Sequence, residues 1–486
     1  MTTTHPRYAR VLLLCLVAAT LAVACAAKAT KAQQPSVLLI MTDDLDVRTF
    51  ESNLDAFPNL AALKDEGVYF KKSYVSFPVC CPSRATSLSG NYPHNHGVWG
   101  NDVARDGGVV NFHDDEPKAL PTWFDPGYRT GLIGHYVNGY DGSYDPPGWD
   151  VWKPAYAVGG FCADGFGKDG RDASGMTDTQ CYGNAGVDFI NSSQGSPFFL
   201  YWAPHAPHLP SSHPERYDGL YNNRSPNAVG EKDISDKPPW MRGLSRLSAE
   251  DRRAITSRYR NWIRSTRDVD DQVGKMVRTL LRNGQLGNTY IIVTSDNGFH
   301  FGEHRIRSGK WTPYEEATRV PLLIAGPGVA QGISRRLVLN NDLAPTIADL
   351  TGSTPAYEPD GHSLAPLLSH PNATKWRERI LIEATSTGSG GTVKMPAWKQ
   401  LVTERLTWTQ YADGYRELYR KADPRQLSNM APVASPTFVA SLAQQLRALS
   451  NCQGTSCHAA EGFWGPYSRT SWKGNSRKFN SLARTL

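Results

Sequence analysis

The sequence predicts an α/β protein that has a large mixed, mostly parallel sheet with helices on both faces, and a small C-terminal antiparallel sheet with a helix. Apolar runs of strand length alternate with amphipathic helical patterns from residue 36 to about residue 350, as in sheets buried on both sides. From about residue 376 the pattern changes to short strands and hairpins. We therefore predict a large domain over residues 33–375 and a C-terminal subdomain over residues 376–486.

Four apolar runs predict strands of the large sheet, over residues 36–41, 197–202, 288–294 and 320–326. Two of them are followed directly by side chains that carry oxygen: Thr42-Asp43-Asp44 after the first run and Ser295-Asp296-Asn297 after the third. Open α/β sheets bind ligands outside the carboxyl ends of their strands. These residues are therefore candidates for a binding site.

A long helix is predicted between Ser248, which with Asp251 forms a capping pair, and Asn283-Gly284. Its apolar side chains recur on or near one face, which indicates a scaffold of the core. They are Ile255, Tyr259, Trp262, Val273, Val277 and Leu280.

Short strands are predicted in the C-terminal part at Ile380–Ile382, at Lys399–Thr403 and on both sides of Asp413-Gly414. An aspartate-glycine pair between two strand-like runs is typical of a hairpin. An amphipathic helix follows, with its apolar residues at Phe438, Val439, Leu442, Leu446 and Leu449.

Composition and charge exclude several classes of protein. The chain has 486 residues, of which 40% are hydrophobic and 20% charged, so it is neither disordered nor collagen-like nor a coiled coil. Its formal charge is +6, but the basic residues Arg7, Arg10, Lys28 and Lys31 all lie in a first segment without acidic residues. Without that segment little positive charge remains, so we do not expect a nucleic-acid partner.

The first 32 residues are typical of a signal peptide, because a short basic start precedes the apolar stretch Val11–Ala24. This stretch is shorter than the roughly 20 apolar residues that a membrane-spanning helix needs, and no transmembrane segment is predicted. Ala22-Val23-Ala24 offers a cleavage site, and Cys25 after it resembles the acceptor of a bacterial lipoprotein. We expect an exported protein that is secreted, periplasmic or lysosome-like, with lipidation of Cys25 as an alternative.

Six cysteines remain beyond Cys25. In an oxidising compartment their positions suggest two local disulfide bonds, Cys162 with Cys181 and Cys452 with Cys457. Cys80 and Cys81 are left, and neighbouring cysteines rarely bridge each other. They are either two buried thiols or a pair with another role.

The residues at the two strand ends favour a hard cation. Asp43, Asp44, Asp296 and Asn297 offer only oxygen donors, which suit Ca²⁺ or Mg²⁺, whereas zinc prefers histidine or cysteine. Each pair by itself is more typical of a turn or a helix cap. Their joint occurrence at the ends of two buried strands, in a chain that also carries the Cys80 segment described next, favours a metal site.

The segment Cys80-Cys81-Pro82-Ser83-Arg84, followed by a turn at Gly90, resembles the signature of the sulfatase family. The resemblance extends from about residue 36 to 430 and implies an alkaline-phosphatase-like fold. It also implies that a formylglycine-generating enzyme oxidises Cys80 to 3-oxoalanine (formylglycine), which is the nucleophile and a metal ligand. Pro82 near a helix start and Gly90 beyond its end place residue 80 at a helix N-terminus, which favours anions.

Two further segments are similar to active-site segments of sulfatases. Ala206-Pro207-His208-Leu209-Pro210 follows a predicted strand, and by this setting we choose His208 over His205 as the catalytic histidine. Lys310, in Gly309-Lys310-Trp311, is similar to the second active-site lysine of the family.

The segments 92–97 and 134–138 most resemble the branch that contains arylsulfatases, N-acetylglucosamine-6-sulfatases and heparan sulfatases. By this resemblance His135, Asn138 and His205 are candidate substrate-binding residues. Where that branch has a lysine, this chain has His135. A protonated histidine binds sulfate only below its pKa, about 6.5, so turnover would fall as pH rises; the alternative is that His135 points away from the substrate.

The resemblance implies hydrolysis of a sulfate monoester, on an aryl sulfate or a sulfated sugar, at a Ca²⁺ site with Mg²⁺ as the alternative. Arg84 and Lys310 would stabilise the developing negative charge, and His208 would protonate the leaving alcohol. Two other functions stay open. The protein could be a phosphodiesterase or phosphonate monoester hydrolase of the same superfold, or a non-catalytic binder of sulfated glycans.

Overall fold

The computed structural model describes residues 34–155, 161–162, 170–226, 233–386 and 393–462. The predicted signal peptide, the alternative lipid acceptor Cys25 and the chain beyond residue 462 lie outside these ranges. Within the described ranges, no helix has both the length and the apolar character that crossing a membrane requires.

The large sheet is present, and its strands confirm the predicted mixed, mostly parallel arrangement. In chain order they are β1 (Ser36–Thr42), β2 (Val68–Tyr74), β3 (Arg129–Gly134), β4 (Val151–Pro154), β5 (Phe198–Ala203), β6 (Thr289–Ser295), β7 (Leu322–Ala325) and β8 (Gly332–Leu339). Their order across the sheet is β4-β3-β5-β1-β6-β7-β2-β8. β7 is antiparallel to β6 and β2, and the other paired strands are parallel.

Helices cover both faces of this sheet. The helices are α1 (Val47–Ser52), α2 (Pro58–Glu66), α3 (Cys80–Ser89), α4 (Pro93–His96), α5 (Gly108–Phe112), α6 (Asp178–Ser192), α7 (Pro239–Arg242), α8 (Ala249–Arg282), α9 (Glu315–Thr318), α10 (Leu343–Thr351), α11 (Ala365–Ser369), α12 (Pro436–Ser450) and α13 (Thr455–Ala460). α2, α6 and α8 contribute to the apolar cluster on one face, and α3 and α10 to the cluster on the other. The capping pair predicted for α8 is present, since the Ser248 side chain accepts a hydrogen bond from the N–H of Asp251.

The central strand β1 is buried on both sides. Leu38 and Ile40 belong to one apolar cluster, while Val37, Leu39 and Met41 belong to the other. Side chains of a strand alternate between its two faces, so a continuous apolar run is what a strand between two helical layers requires.

The C-terminal sheet is antiparallel, as predicted. Its strands are β9 (Arg379–Ala384), β10 (Trp398–Thr403), β11 (Leu406–Tyr411) and β12 (Arg416–Arg420), in the order β12-β11-β10-β9. α12 packs on this sheet through Leu442, Leu446 and Leu449. Both sheets belong to one compact unit, and the boundary near residue 375 stays a prediction.

Both predicted disulfide bonds are present, between Cys162 and Cys181 and between Cys452 and Cys457. Cys80 and Cys81 are buried free cysteines.

Candidate active site

The carboxyl ends of β1 and β6 bring the four predicted oxygen ligands together. The two strands are adjacent, parallel and paired along their whole length. The backbone N–H of Asp44 donates to Oδ1 of Asp296 at 3.1 Å, and Nδ2 of Asn297 donates to Oδ1 of Asp44. Asp43 lies beside them, and all four side chains are buried.

Residue 80 lies at the N-terminus of α3, as predicted. Cys80 is the first residue of the helix and Pro82 the third, and Gly90 ends it in the left-handed conformation with φ 77°. The Cys80 Sγ atom is 3.5 Å from Oδ1 of Asp43. Burial and the neighbouring charge of Asp43 raise the pKa of the Cys80 thiol well above its ordinary value, so the unmodified thiol stays protonated.

Arg84 lies beneath the site, where it is fully buried. Its Nε donates to Oδ2 of Asp296 at 2.9 Å, its NH2 group lies 3.2 Å from Oδ2 of Asp43, and its NH1 group donates to the carbonyl of His135 at 2.7 Å. The planar guanidinium can bind two carboxylates at once. Arg84 therefore holds the ends of β1 and β6 together.

Lys310 reaches the centre of the site. Its ammonium group contacts Oδ1 of Asp44 and lies 2.8 Å from the Cys80 Sγ and 3.8 Å from Oδ1 of Asp43. Burial alone would lower the pKa of Lys310, but the charges of Asp44 and Asp43 raise it well above its ordinary value. A permanent positive charge thus lies beside residue 80.

His208 lies at the open side of the site. Its Nε2 is 3.6 Å from Oδ2 of Asp44, and 34% of its side chain is exposed. His205 packs behind it, with the two ring centres 4.5 Å apart, and burial lowers the pKa of His205 well below its ordinary value. His208 is thus the histidine that lies next to Asp44, and its choice as the catalytic histidine stays a prediction.

His135 and Asn138 form a bridge to the strand-end carboxylates. Nδ1 of His135 lies 2.7 Å from Oδ2 of Asp43, and its Nε2 lies 2.9 Å from Oδ1 of Asn138. Burial and the charge of Arg84 lower the pKa of His135. Both ring nitrogens thus face protein oxygen atoms, an arrangement that favours the alternative in which His135 does not bind the sulfate.

The charges of the site favour a bound cation. Three buried carboxylates, Asp43, Asp44 and Asp296, face two permanent cations, Arg84 and Lys310, which leaves an excess of negative charge. Burial alone would raise the pKa of Asp43, but its cationic and hydrogen-bonding neighbours hold it well below its ordinary value. Burying unbalanced charge is costly unless a counter-charge is present.

The donor atoms also fit such a cation. Oδ2 of Asp44 and Oδ1 of Asn297 are buried and accept no hydrogen bond from the described part of the chain. Ligand atoms of Asp43, Asp44 and Cys80 lie within 4.8 Å of one another. Carboxylate and amide oxygens are preferred ligands of Ca²⁺ and Mg²⁺.

Two residues of the site were missed by the sequence analysis. Oδ1 of Asn101 accepts the backbone N–H of Cys81 at 3.0 Å and so caps α3 from another segment. The hydroxyl of Tyr201 lies 3.4 Å from the Arg84 NH1 group. Neither position has a local signal, because each contact depends on the packing of distant segments.

Comparison with known proteins identifies the family. The sequence profile of the Sulfatase family matches residues 35–353, and that of the N-sulphoglucosamine sulphohydrolase C-terminal region matches residues 302–451. The chain therefore belongs to the sulfatase family, which confirms the resemblance seen in the sequence.

Related proteins align with part or most of this chain. An extracellular sulfatase SULF-1 homolog of Drosophila melanogaster is 33% identical over 377 residues, which is 73% of this chain and 33% of that protein. The chain covers 52% of a putative homolog from Caenorhabditis elegans, so it spans about a third to a half of these relatives. Human N-acetylglucosamine-6-sulfatase is 29% identical over 477 residues, 87% of this chain and 86% of that protein.

Solved structures share the fold. A structure of a protein in complex with its substrate D-glucosamine-2-N,6-O-disulfate has a TM-score of 0.71 at 21% identity, covering 85% of this chain and 97% of that one. Phosphonate monoester hydrolase from Silicibacter pomeroyi has a TM-score of 0.69 at 22% identity, covering 87% and 96%. These likenesses concern the fold alone, which does not decide between the two reactions.

Proposed function

We propose that the protein is a sulfuric ester hydrolase that cleaves sulfate monoesters of sugars, through residue 80 after its conversion to formylglycine and at a Ca²⁺ site. The observation that carries the proposal is the position of Cys80, at the start of α3, 3.5 Å from Asp43 and 2.8 Å from the amine of Lys310. A reacting group here lies between an oxygen-rich ligand set and a fixed positive charge.

Residue 80, once converted to formylglycine, would supply the nucleophile: one hydroxyl group of its hydrate would displace the alcohol from sulfur, and the other would then release the sulfate and restore the aldehyde. The surrounding chain positions that group. Asp43 contacts the side chain of residue 80 and keeps it next to the proposed metal ligands. Asn101 fixes the first turn of α3.

The bound cation, Ca²⁺ with Mg²⁺ as the alternative, would polarise the sulfate as a Lewis acid. Asp43, Asp44, Asp296, Asn297 and residue 80 would hold it. Lys310 stabilises negative charge that develops on the sulfate oxygens, because its ammonium is already in place and needs no reorganisation. Arg84 acts mainly through Asp43 and Asp296, whose carboxylates it positions.

His208 is the proposed general acid. It lies at the open side of the site, next to Asp44 and partly exposed, where the leaving alcohol has to depart. A protonated His208 can donate its proton to that oxygen as the sulfur–oxygen bond breaks. His205, packed against the ring of His208, orients it.

A sulfated sugar is the proposed substrate, and an aryl sulfate is the alternative. The support is the identity of 29% with human N-acetylglucosamine-6-sulfatase over 87% of the chain. The two disulfide bonds agree with export to an oxidising compartment. A formylglycine-generating enzyme in the host would modify Cys80.

The test combines mass spectrometry with an activity assay. Mass spectrometry of the peptide over residues 72–84 measures whether Cys80 has become the aldehyde, and the same preparation is assayed with Ca²⁺ on an aryl sulfate and on 6-sulfated glucosamine. We expect aldehyde and turnover together. Aldehyde without turnover of any sulfate ester would contradict the proposed activity.

A phosphonate monoester hydrolase is the second candidate, because such an enzyme shares the fold with a TM-score of 0.69. A phosphonate monoester and a phosphodiester belong in the same assay. Faster turnover of either than of the sulfate esters would favour this candidate. Tight binding of a sulfated glycan by unmodified protein without turnover would favour a binding protein.

A further inference from the structure

A cavity of about 540 Å³ lies between the segment 99–106 and the C-terminal sheet. Ligand-binding cavities commonly have volumes of roughly 300–1,000 Å³. Its walls come from residues 99–106, from Trp311 and from the ends of β9 and β10. Of its lining residues only Asn101 has a part in the proposed reaction, through its contact with the first turn of α3.

Two lining residues of the cavity are hydrogen-bonded to the segment that carries Cys80. Trp311 follows Lys310, and its backbone N–H donates to the carbonyl of Pro78, two residues before Cys80, at 3.1 Å. Oδ1 of Asn101, another lining residue, accepts the N–H of Cys81. The part of a substrate that extends from the sulfate ester therefore has this cavity next to it.

Two tryptophans form an apolar wall. Trp99 and Trp311 both pack against Phe77, with ring centres 6.5 and 5.7 Å from it. Thr385 ties them together, since its carbonyl accepts the Trp311 Nε1–H at 2.9 Å and its hydroxyl donates to the Trp99 carbonyl at 3.0 Å. Indole rings present a large apolar surface, which matches the C–H face of a pyranose ring.

Glu383 places an acceptor in the same cavity. Its side chain is 1% exposed, and its Oε1 lies 2.6 Å from Nδ1 of His94. Its Oε2 is buried and accepts no hydrogen bond within the described ranges, although the amine of Lys399 lies 3.4 Å away. A buried acceptor without a hydrogen bond is costly, so a hydroxyl or N–H group of a ligand fits here.

The charged residues of the lining carry a small negative excess. Asp102, Asp106 and Glu383 face Arg105 and Lys399. A carboxylate on the bound ring would add to this negative excess, which is unfavourable in a partly buried site. A ring without an acidic group meets no such repulsion.

We propose that this cavity binds the sugar ring next to the sulfated one, and that it selects a neutral ring over a uronic acid. The inference rests on the proposed function and deepens it, because it names the class of glycan that the same site accepts. Trp99 and Trp311 would pack on the ring, and Glu383 would accept a hydrogen bond from it.

The test compares two disaccharides in which 6-sulfated N-acetylglucosamine is joined to galactose or to glucuronic acid. We expect kcat/KM to be at least fivefold higher for the galactose compound in low salt, with the ratio shrinking as salt screens the repulsion. Trp311→Leu and Trp99→Leu should raise KM for the galactose compound by about tenfold, and Glu383→Gln should reduce the ratio. Equal kcat/KM for both compounds in the wild type would overturn the inference.

Trp149→Leu is the matched control, since Trp149 is a half-buried tryptophan that stacks on Phe199 and does not line the cavity. This variant should leave the ratio of kcat/KM between the two disaccharides unchanged. A second experiment measures binding of the two desulfated disaccharides by tryptophan fluorescence. If the protein hydrolyses no sulfate ester, the proposed function fails, and tighter binding of the galactose compound would still support the inference; equal binding would overturn it.

Discussion

The backbone N–H of Asp44 donates a hydrogen bond to Oδ1 of Asp296 at 3.1 Å, although 252 residues separate them in the chain. The contact exists because β1 and β6 are neighbouring parallel strands that end at the same edge of the sheet. Each strand delivers one half of the proposed cation site. The properties of the site therefore depend on both halves at once.

Replacing one carboxylate of this site should weaken binding of the cation. Asp43→Asn or Asp296→Asn removes one negative charge from an oxygen-only ligand set, so we expect activity to fall by orders of magnitude and to recover in part with excess Ca²⁺. Asp55→Asn, at an exposed residue paired with Arg224, is the control. Elemental analysis gives the metal, and stoichiometric zinc would contradict a calcium site.

Replacing Cys80 and replacing Cys81 should have different effects on activity. Cys80→Ala should abolish sulfatase activity, because residue 80 supplies the nucleophile. Cys81 is buried and its Sγ accepts the N–H of Asn138 at 3.0 Å, so Cys81→Ala should retain most activity and cost about 1–2 kcal/mol of stability. Activity assays and urea denaturation separate the two effects. Equal loss of activity in both variants would refute the assignment of Cys80.

Arg84 should not tolerate lysine. A lysine places its charge at one point and cannot bind Asp43 and Asp296 in the same way, so Arg84→Lys should lower activity strongly. Removing a partner from a buried ion pair costs about 3–5 kcal/mol, and Arg84→Gln should be destabilised by that amount. Denaturation curves measure it, and an Arg84→Gln variant of wild-type stability would show that the pairs contribute little.

The effect of removing His208 should depend on the leaving group. A sugar alkoxide is a poor leaving group that needs a proton, whereas a nitrophenolate departs without one. We expect His208→Ala to lower kcat on 6-sulfated glucosamine by about 10²- to 10⁴-fold and on a nitrophenyl sulfate much less. His370→Ala, an exposed histidine elsewhere, should change neither rate. Equal losses on both substrates would argue against a general acid.

Acid should destabilise the protein in part through Glu461. Its Oε2 lies 2.8 Å from Nε2 of His362 and 3.1 Å from NH1 of Arg377. Burial alone would raise the pKa of Glu461, but Arg377 and His362 lower it to about 2 from an ordinary 4.5. A carboxyl whose pKa is lower in the folded state stabilises the fold above its ordinary pKa, and this stabilisation is lost as pH falls from about 4.5 towards 2.

Glu461→Gln should therefore be less stable than the wild type at pH 7, by on the order of 3 kcal/mol, and the difference should shrink in acid. Urea denaturation at several pH values measures it. Glu378→Gln, at a residue whose side chain is 59% exposed, is the control. A constant difference between Glu461→Gln and the wild type at all pH values would contradict the pKa shift.

Much of the fold followed from local patterns in the sequence. The apolar run of β1, the capping pair of α8 and the turn at Asp413-Gly414 are short-range signals, and each predicted the element that the structure contains. The pairs at the ends of β1 and β6 were also found this way, because open α/β sheets bind ligands outside the carboxyl ends of their strands. The cysteine motif identified the family.

The sequence by itself determined which residues are available for the chemistry: Cys80 at a helix start, the strand-end carboxylates, His208 and Lys310. Only the tertiary structure decided how they are used. It directs Arg84 towards Asp43 and Asp296, engages both nitrogens of His135, and brings Asn101 to α3. These contacts join segments far apart in the chain, so they depend on strand order and packing, which local sequence patterns do not encode.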